Sequence, residues 1–225
     1  MWTENINMIL NFLRELRKNN NRVYFNENKD AYLAAKKAFE EIVGGLINEV
    51  LVFDSGVKYL APQDCIFRIY RDVRFSPNKQ PYKTHFGAYI APRGGRKSVL
   101  GGYYIHLEPD NCLLGGGIYC TDSPMLKRLR QGIFDSYGEL MSIVNAPDFK
   151  KKLKVVSSDS LKKVPNGFPK DFEGAEWLKY KNYQLWHPMT DDEMAGRQAQ
   201  ERIVDVFRAM KPFNEYFNSI LTENC

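Results

Sequence analysis

The stretch from Ser98 to Tyr119 limits the fold more than any other part of the chain. Two runs that read as strands, Ser98 to Glu108 and Cys112 to Tyr119, are separated only by Pro109-Asp110-Asn111. A connection of three residues cannot return the chain to the start of a parallel neighbour, so the two strands pair antiparallel. Counting by twos, Tyr104, His106 and Glu108 share one face and Tyr103, Ile105 and Leu107 the other. Cys65 to Tyr70 and Lys83 to Ile90 also alternate, with Lys83, His85 and Tyr89 on one side, and Pro92 to Arg96 reads as a hairpin connection. Gly115-Gly116-Gly117 lacks the spacing of a phosphate loop and reads as a bulge or a close backbone approach, with packing favoured over a ligand floor.

Helical periodicity flanks this β-rich middle. Thr3 is placed to cap a first helix with Ile6, Ile9, Leu10, Leu13 and Leu16 on one face, and Val23-Tyr24-Phe25 reads as a link. A second helix begins near Asn28 and meets Gly44-Gly45, a pair costing about 1 kcal/mol per glycine against Ala, which points to a close crossing by another element or to a break there. Ser123 with Pro124 predicts the start of a helix reaching Pro147, and residues 150 to 170 read as mostly loop. Trp177-Leu178 falls on a short helix and Tyr183 to Trp186 on a short strand. Thr190 to Glu193 fits a capping box opening a helix that ends at Met210, followed by a last helix carrying Phe213, Tyr216, Phe217, Ile220 and Leu221. The expected architecture is α+β in a single domain over 1–225: helices over about 3–54, four or five antiparallel strands over about 65–120, and a mainly helical part over 123–225.

Positive charge is confined to one segment. From Cys65 to Lys97, Arg68, Arg71, Arg74, Lys79, Lys83, Arg93, Arg96 and Lys97 face one acid, Asp72, in a chain whose net charge is +5. A local field of this kind points to a bound anion more than to solubility. No run approaches the about 20 apolar residues that cross a bilayer, and the start of the chain lacks the pattern of a secretory signal. Cys65, Cys112, Cys120 and Cys225 show no metal-ligand spacing and read as reduced thiols, hence a cytoplasmic setting, with the first three in the core.

The pattern Arg68-x-x-Arg71-Asp72-x-Arg74-Phe75-x-x-x-Asn78-Lys79-x-x-Tyr82 resembles the signature of a widespread family known as domain of unknown function 2461. Asn20-Asn21-Arg22, Pro81 to Gly87 and Tyr103 to Gly117 extend the likeness over nearly the whole chain. The resemblance implies that the basic segment is characteristic of the group; it brings no reaction, cofactor or partner with it.

Arginine offers a planar fork of donors matched to phosphate or carboxylate. If the backbone turns near Tyr70, Arg68, Arg71 and Arg74 converge under a loop, Ser76 to Pro81, that stands on Phe75 and Tyr82. The expected ligand-binding set is Arg68, Arg71, Arg74, Asn78, Lys79, Tyr82, Lys83 and Tyr104, holding an anionic small molecule or nucleotide. Asp72, which would orient one arginine, joins His85, His106 and Glu108 as the catalytic candidates. If their strands are neighbours, His85, His106 and Glu108 meet as an acid/base group or, less favoured, as a two-histidine, one-carboxylate metal site; His187 replacing His85 is a weaker variant. Other readings remain open: basic residues interleaved with Phe67, Tyr70, Phe75 and Tyr82 suit single-stranded nucleic acid, and arginines paired with internal acids suit a non-catalytic scaffold. No cofactor is indicated, no G-x-S-x-G elbow occurs, and no membrane partner is expected.

Overall fold

The computed structural model describes residues 1–119, 122–157 and 159–222. Helices α1 (Trp2–Lys18), α2 (Arg22–Glu27), α3 (Lys29–Leu51) and α4 (Pro62–Cys65) come first, followed by strands β1 (Phe86–Ile90), β2 (Gly102–Leu107) and β3 (Cys112–Ile118). Then come α5 (Ser123–Asp135), α6 (Tyr137–Asn145), α7 (Pro147–Lys152), β4 (Lys154–Val156), α8 (Ala175–Lys179), β5 (Tyr183–Met189), α9 (Asp191–Ala195) and α10 (Ala199–Thr222). The strands form one antiparallel sheet in the order β1-β2-β3-β5-β4. The fold is α+β.

Alternation along β2 sorts its side chains. Tyr103, Ile105 and Leu107 are fully buried and point into a core closed by α10 over β2 and β3 and by α3 over β1. Tyr104, His106 and Glu108 lie on the outer face. α10 seats itself through backbone groups as well as apolar contacts. Asn214, 2% exposed, accepts from Gly117 N at 2.8 Å and donates to Gly102 O at 3.0 Å. One turn on, Asn218 accepts from Gly101 N at 2.7 Å and donates to Gly101 O at 3.1 Å. Such close approach needs small residues on the sheet: a Cβ on Gly116 would stand 2.8 Å from Met210 Sδ, and Gly117 has φ 82° with Tyr183 O at 2.0 Å from where a Cβ would lie. The glycine run is therefore a packing surface for α10 and β5.

Several boundaries differ from the sequence reading, each for a local reason. Thr3 lies inside α1, whose cap position is Met1, and Val23-Tyr24-Phe25 forms α2 because Asn21 caps it, accepting from Tyr24 N. Gly44 is crossed closely by Pro62, 3.4 Å from its Cβ position, and α3 continues through it. Cys65 to Tyr70 is no full strand; it contributes only the bridges Ile66–Ala88 and Tyr70–Tyr82. Pro92 to Arg96 lies within an irregular connection that turns through left-handed Arg93 and Gly94 into a 3-10 turn at Gly95–Lys97. Asp122, not Ser123, caps α5, and the helix expected to reach Pro147 divides at Ser136 into α5 and α6. Within 150–170, the end of α7 and the strand β4 replace part of the expected loop. The capping box at Thr190 forms, but its helix stops at Ala195, whereas α10 runs unbroken through Pro212. An internal proline costs about 3 kcal/mol, and the apolar face from Ile203 to Leu221 outweighs it. Cys65 and Cys112 are buried and their thiols are pushed up to about 12, mainly by burial; Cys120 and Cys225 lie outside the described residues.

Replacing Asn214 with Leu keeps the branched shape but removes both polar atoms, leaving Gly117 N and Gly102 O buried without partners, at about 1–3 kcal/mol for each group. Chemical denaturation should show a lowered midpoint with the m-value unchanged; an unchanged midpoint would contradict the role given to this side chain.

Candidate functional site

The basic segment leaves β1 at its edge and returns to it. Phe67 N donates to Gly87 O at 2.9 Å, Lys83 N to Ile69 O at 2.8 Å and Arg71 N to Pro81 O at 2.9 Å, closing a neck at Tyr70–Tyr82. Asn20 grips that neck: Tyr82 N donates to Asn20 Oδ1 at 3.1 Å, and Asn20 Nδ2 donates to Tyr82 O at 3.0 Å. Tyr82 is buried with its ring stacked 3.9 Å from Phe25.

Beyond the neck the loop binds itself. Arg71 donates to Gln80 O at 3.1 Å and Ser76 Oγ at 3.3 Å. Arg74 clasps Asp72 through Nε at 3.0 Å and Nη2 at 2.7 Å. Lys79 donates to Val73 O, and Asn78 Oδ1 accepts from Gln80 N. The Arg74 contact holds the exposed Asp72 carboxyl below its usual range. Arg68, Arg71 and Arg74 therefore do not gather around one vacancy: Arg71 and Arg74 are engaged within the loop. Phe75 is no apolar foot either; it is 95% exposed at the tip, 5.9 Å from the Arg74 guanidinium.

The cations that remain available lie below the neck. Arg68 and Lys83 line a cavity of about 560 Å³ together with Arg96, Lys97 and the Lys36–Glu40 pair of α3, over walls formed by Tyr32, Ile66, Phe67 and Phe86. Lys36 meets Glu40 at 3.2 Å and Arg96 donates to Gln63 O. Among the described residues, Arg68, Lys83 and Lys97 side chains have no hydrogen-bond or ion-pair partner. Five cations around one carboxylate make the cavity strongly positive. Burial, and then Arg68, lower the Lys83 ammonium.

Next to Lys83, the outer face of the sheet carries a second cluster. Gly87 pairs with His106, which sets His85, just before β1, beside the end of β2. The His85 and His106 rings stand 4.3 Å apart, and ligand atoms of His85, His106 and Glu108 all lie within 4.8 Å of one another. Tyr104 Oη meets His106 Nδ1 at 2.9 Å, and His106 Nε2 meets Glu108 Oε2 at 3.3 Å. The Tyr104 ring crosses Gly87 so closely that a Cβ there would stand 2.6 Å from its hydroxyl. Thr84 Oγ1 and Asn111 Nδ2 donate to Glu108 at 2.6 and 2.7 Å. Burial alone would raise the Glu108 carboxyl, but hydrogen bonds from Thr84, Asn111 and His106 outweigh it and hold the group below its usual range. Burial, then His106 and Lys83, push His85 down to about 4, and burial also lowers His106 against the opposing pull of Glu108. His187 lies apart, its Nδ1 2.6 Å from Lys152 O. The arrangement pairs a cationic cavity with an imidazole–carboxylate group able to take or give a proton.

Sequence reasoning missed Thr84, Asn111, Lys36, Glu40 and Gln63. Asn111 had a signal, since a turn residue three places after Glu108 folds back on the strand end. Lys36 and Glu40 show only the i, i+4 pairing common on any helix surface.

Fold and site define an α+β protein whose sheet is sealed by helices on one face and carries a His-His-Glu cluster on the other. The chain belongs to the conserved hypothetical protein family DUF2461, whose family model matches residues 8–216. No curated protein and no solved structure matches it. Among the described residues no helix is long and apolar enough to cross a membrane.

In protein stripped of metal by a chelator, the His85 ring should stay neutral until the pH nears 4, where an ordinary histidine titrates near about 6.5. The unfolded chain then takes up this proton first, so His85 makes stability fall as pH drops from about 6.5 toward 4. His85→Gln should flatten part of that decline in denaturation midpoints; a His85 ring titrating near 6.5 by nitrogen-resolved NMR would contradict the assignment.

Proposed function

We propose that the protein binds a phosphate-bearing small molecule or nucleotide in the cavity between α3 and the segment Ile66 to Tyr70, with His85, His106 and Glu108 beside it as acid/base groups. The observation that carries this reading is the excess of cations on that cavity: Arg68, Lys83, Arg96 and Lys97 remain after Lys36 and Glu40 neutralise each other. Its volume falls within the about 300–1,000 Å³ of small-molecule pockets, and its apolar walls include Phe67, whose ring lies 5.4 Å from Lys83 Nζ. Arg71, Arg74, Asn78 and Lys79 serve this site indirectly, by holding the loop above it. The setting we infer is cytoplasmic.

A second reading rests on Phe75. An almost fully exposed aromatic ring beside a guanidinium, on a loop held by its own hydrogen bonds, suits stacking on an unpaired base, worth about 1–3 kcal/mol per base.

One experiment separates the two. Thermal unfolding is followed with inorganic phosphate, pyrophosphate and nucleotides, and oligonucleotide binding by fluorescence anisotropy. The cavity reading expects stabilisation by a phosphate compound, with affinity reduced about 10–100-fold in Arg68→Ala/Lys97→Ala, as expected when charged hydrogen bonds are lost, and unchanged in Phe75→Ala. Stabilisation by no phosphate compound would reject it; oligonucleotide binding lost in Phe75→Ala would favour the second reading.

A further inference from the structure

The geometry points to a divalent transition-metal site formed by His85, His106 and Glu108 on the outer face of the β1–β2 corner; it needs no ligand in the cavity, and with metal bound these three side chains act as ligands in place of the acid/base groups of the metal-free protein. Metal–nitrogen and metal–oxygen bonds of about 2.0–2.2 Å at a tetrahedral angle hold neighbouring ligand atoms about 3.3–3.5 Å apart. His106 Nε2 and Glu108 Oε2 already stand 3.3 Å apart. All three ligand atoms fall within 4.8 Å, so the remaining contraction falls on His85. That ring is free to make it: among the described residues neither of its nitrogens has a hydrogen-bond partner, although the side chain is half-buried.

The surroundings supply what a metal requires of its ligands. With the metal on Nε2, the His106 proton resides on Nδ1 and is donated to Tyr104 Oη, which fixes the ring and its tautomer. Thr84 and Asn111 hold the Glu108 carboxylate in place from both oxygens. Three protein ligands leave at least one coordination position open, as in catalytic sites and unlike closed structural ones. Two imidazoles and one carboxylate suit zinc or ferrous iron better than calcium or magnesium, which prefer all-oxygen shells. Lys83 is the opposing feature: its charge acts on both histidines, and removing it should favour a cation here while disfavouring an anion in the cavity.

The test is calorimetric titration of the full chain with Zn²⁺. We expect one site per chain, with binding weakened by about 100-fold or more in His85→Gln and in Glu108→Gln, since loss of even an outer-shell partner costs about 10–100-fold. Lys83→Met should tighten zinc binding. As a check that depends on no variant, nitrogen-resolved NMR of the wild-type imidazoles should show Zn²⁺ shifting the His85 and His106 rings and leaving His187 in place. Failure of the wild type to take up zinc, uptake unaffected by both ligand variants, or shifts confined to other residues would overturn the site.

Discussion

The seam between α10 and the sheet is the constraint on which the rest depends. Asn214 and Asn218 bind the backbone of Gly101, Gly102 and Gly117 at a close approach that Gly101 and Gly116 permit, where a Cβ would stand 3.2 Å from Asn214 Oδ1 and 2.8 Å from Met210 Sδ. Packing alone would bring a helix to a sheet at a range of offsets; four directed hydrogen bonds set one. They also satisfy polar groups that would otherwise be buried without partners. With one face of the sheet committed to α10 and α3, the alternate residues of β2 lie on the other. Tyr104, His106 and Glu108 owe their common face to that division.

The basic segment shows how little a charge count says about where charge is available. Eight cations against one acid imply a single strong site. In the folded chain Arg71, Arg74 and Lys79 are drawn into the loop by Ser76, Asp72 and the carbonyls of Val73 and Gln80. Asp72 offsets the charge of Arg74, while all these contacts fix the loop, and a loop fixed in advance spends less ordering entropy when a ligand arrives. Arg68 and Lys83 share the neck with them yet face the cavity. Arg96 and Lys97 reach it from the connection between β1 and β2, and Lys36 and Glu40 from α3.

Much of this was legible in the residues. The short turn after Glu108 set the β2–β3 pair, period-two counting put Tyr104, His106 and Glu108 on one face, and the capping box at Thr190 marked α9. Helix ends were missed for local reasons, such as the Asn21 and Asp122 caps; where a whole element was missed, a partner distant in sequence overrode a local signal. Pro212 would break an isolated helix, and the continuous apolar face packed against the sheet and the flanking helices keeps α10 whole. Lys154–Val156 is a strand because β5 pairs with it; three residues after a lysine run carry no such mark. The arginine spacing was visible, but whether a guanidinium meets Gln80 O or open space depends on a loop closure that spacing cannot encode. The cavity was least legible, because its lining comes from α3, the neck and the connection after β1 together.

The division of cations between loop and cavity is tested most directly by a crystal structure of the protein grown with phosphate. An ordered tetrahedral anion should lie in the cavity, held by Arg68, Lys83 and Lys97, with Arg71 and Arg74 still bound to Gln80 and Asp72. An anion seated on Arg71 and Arg74 with the loop contacts broken, and none in the cavity, would contradict that division.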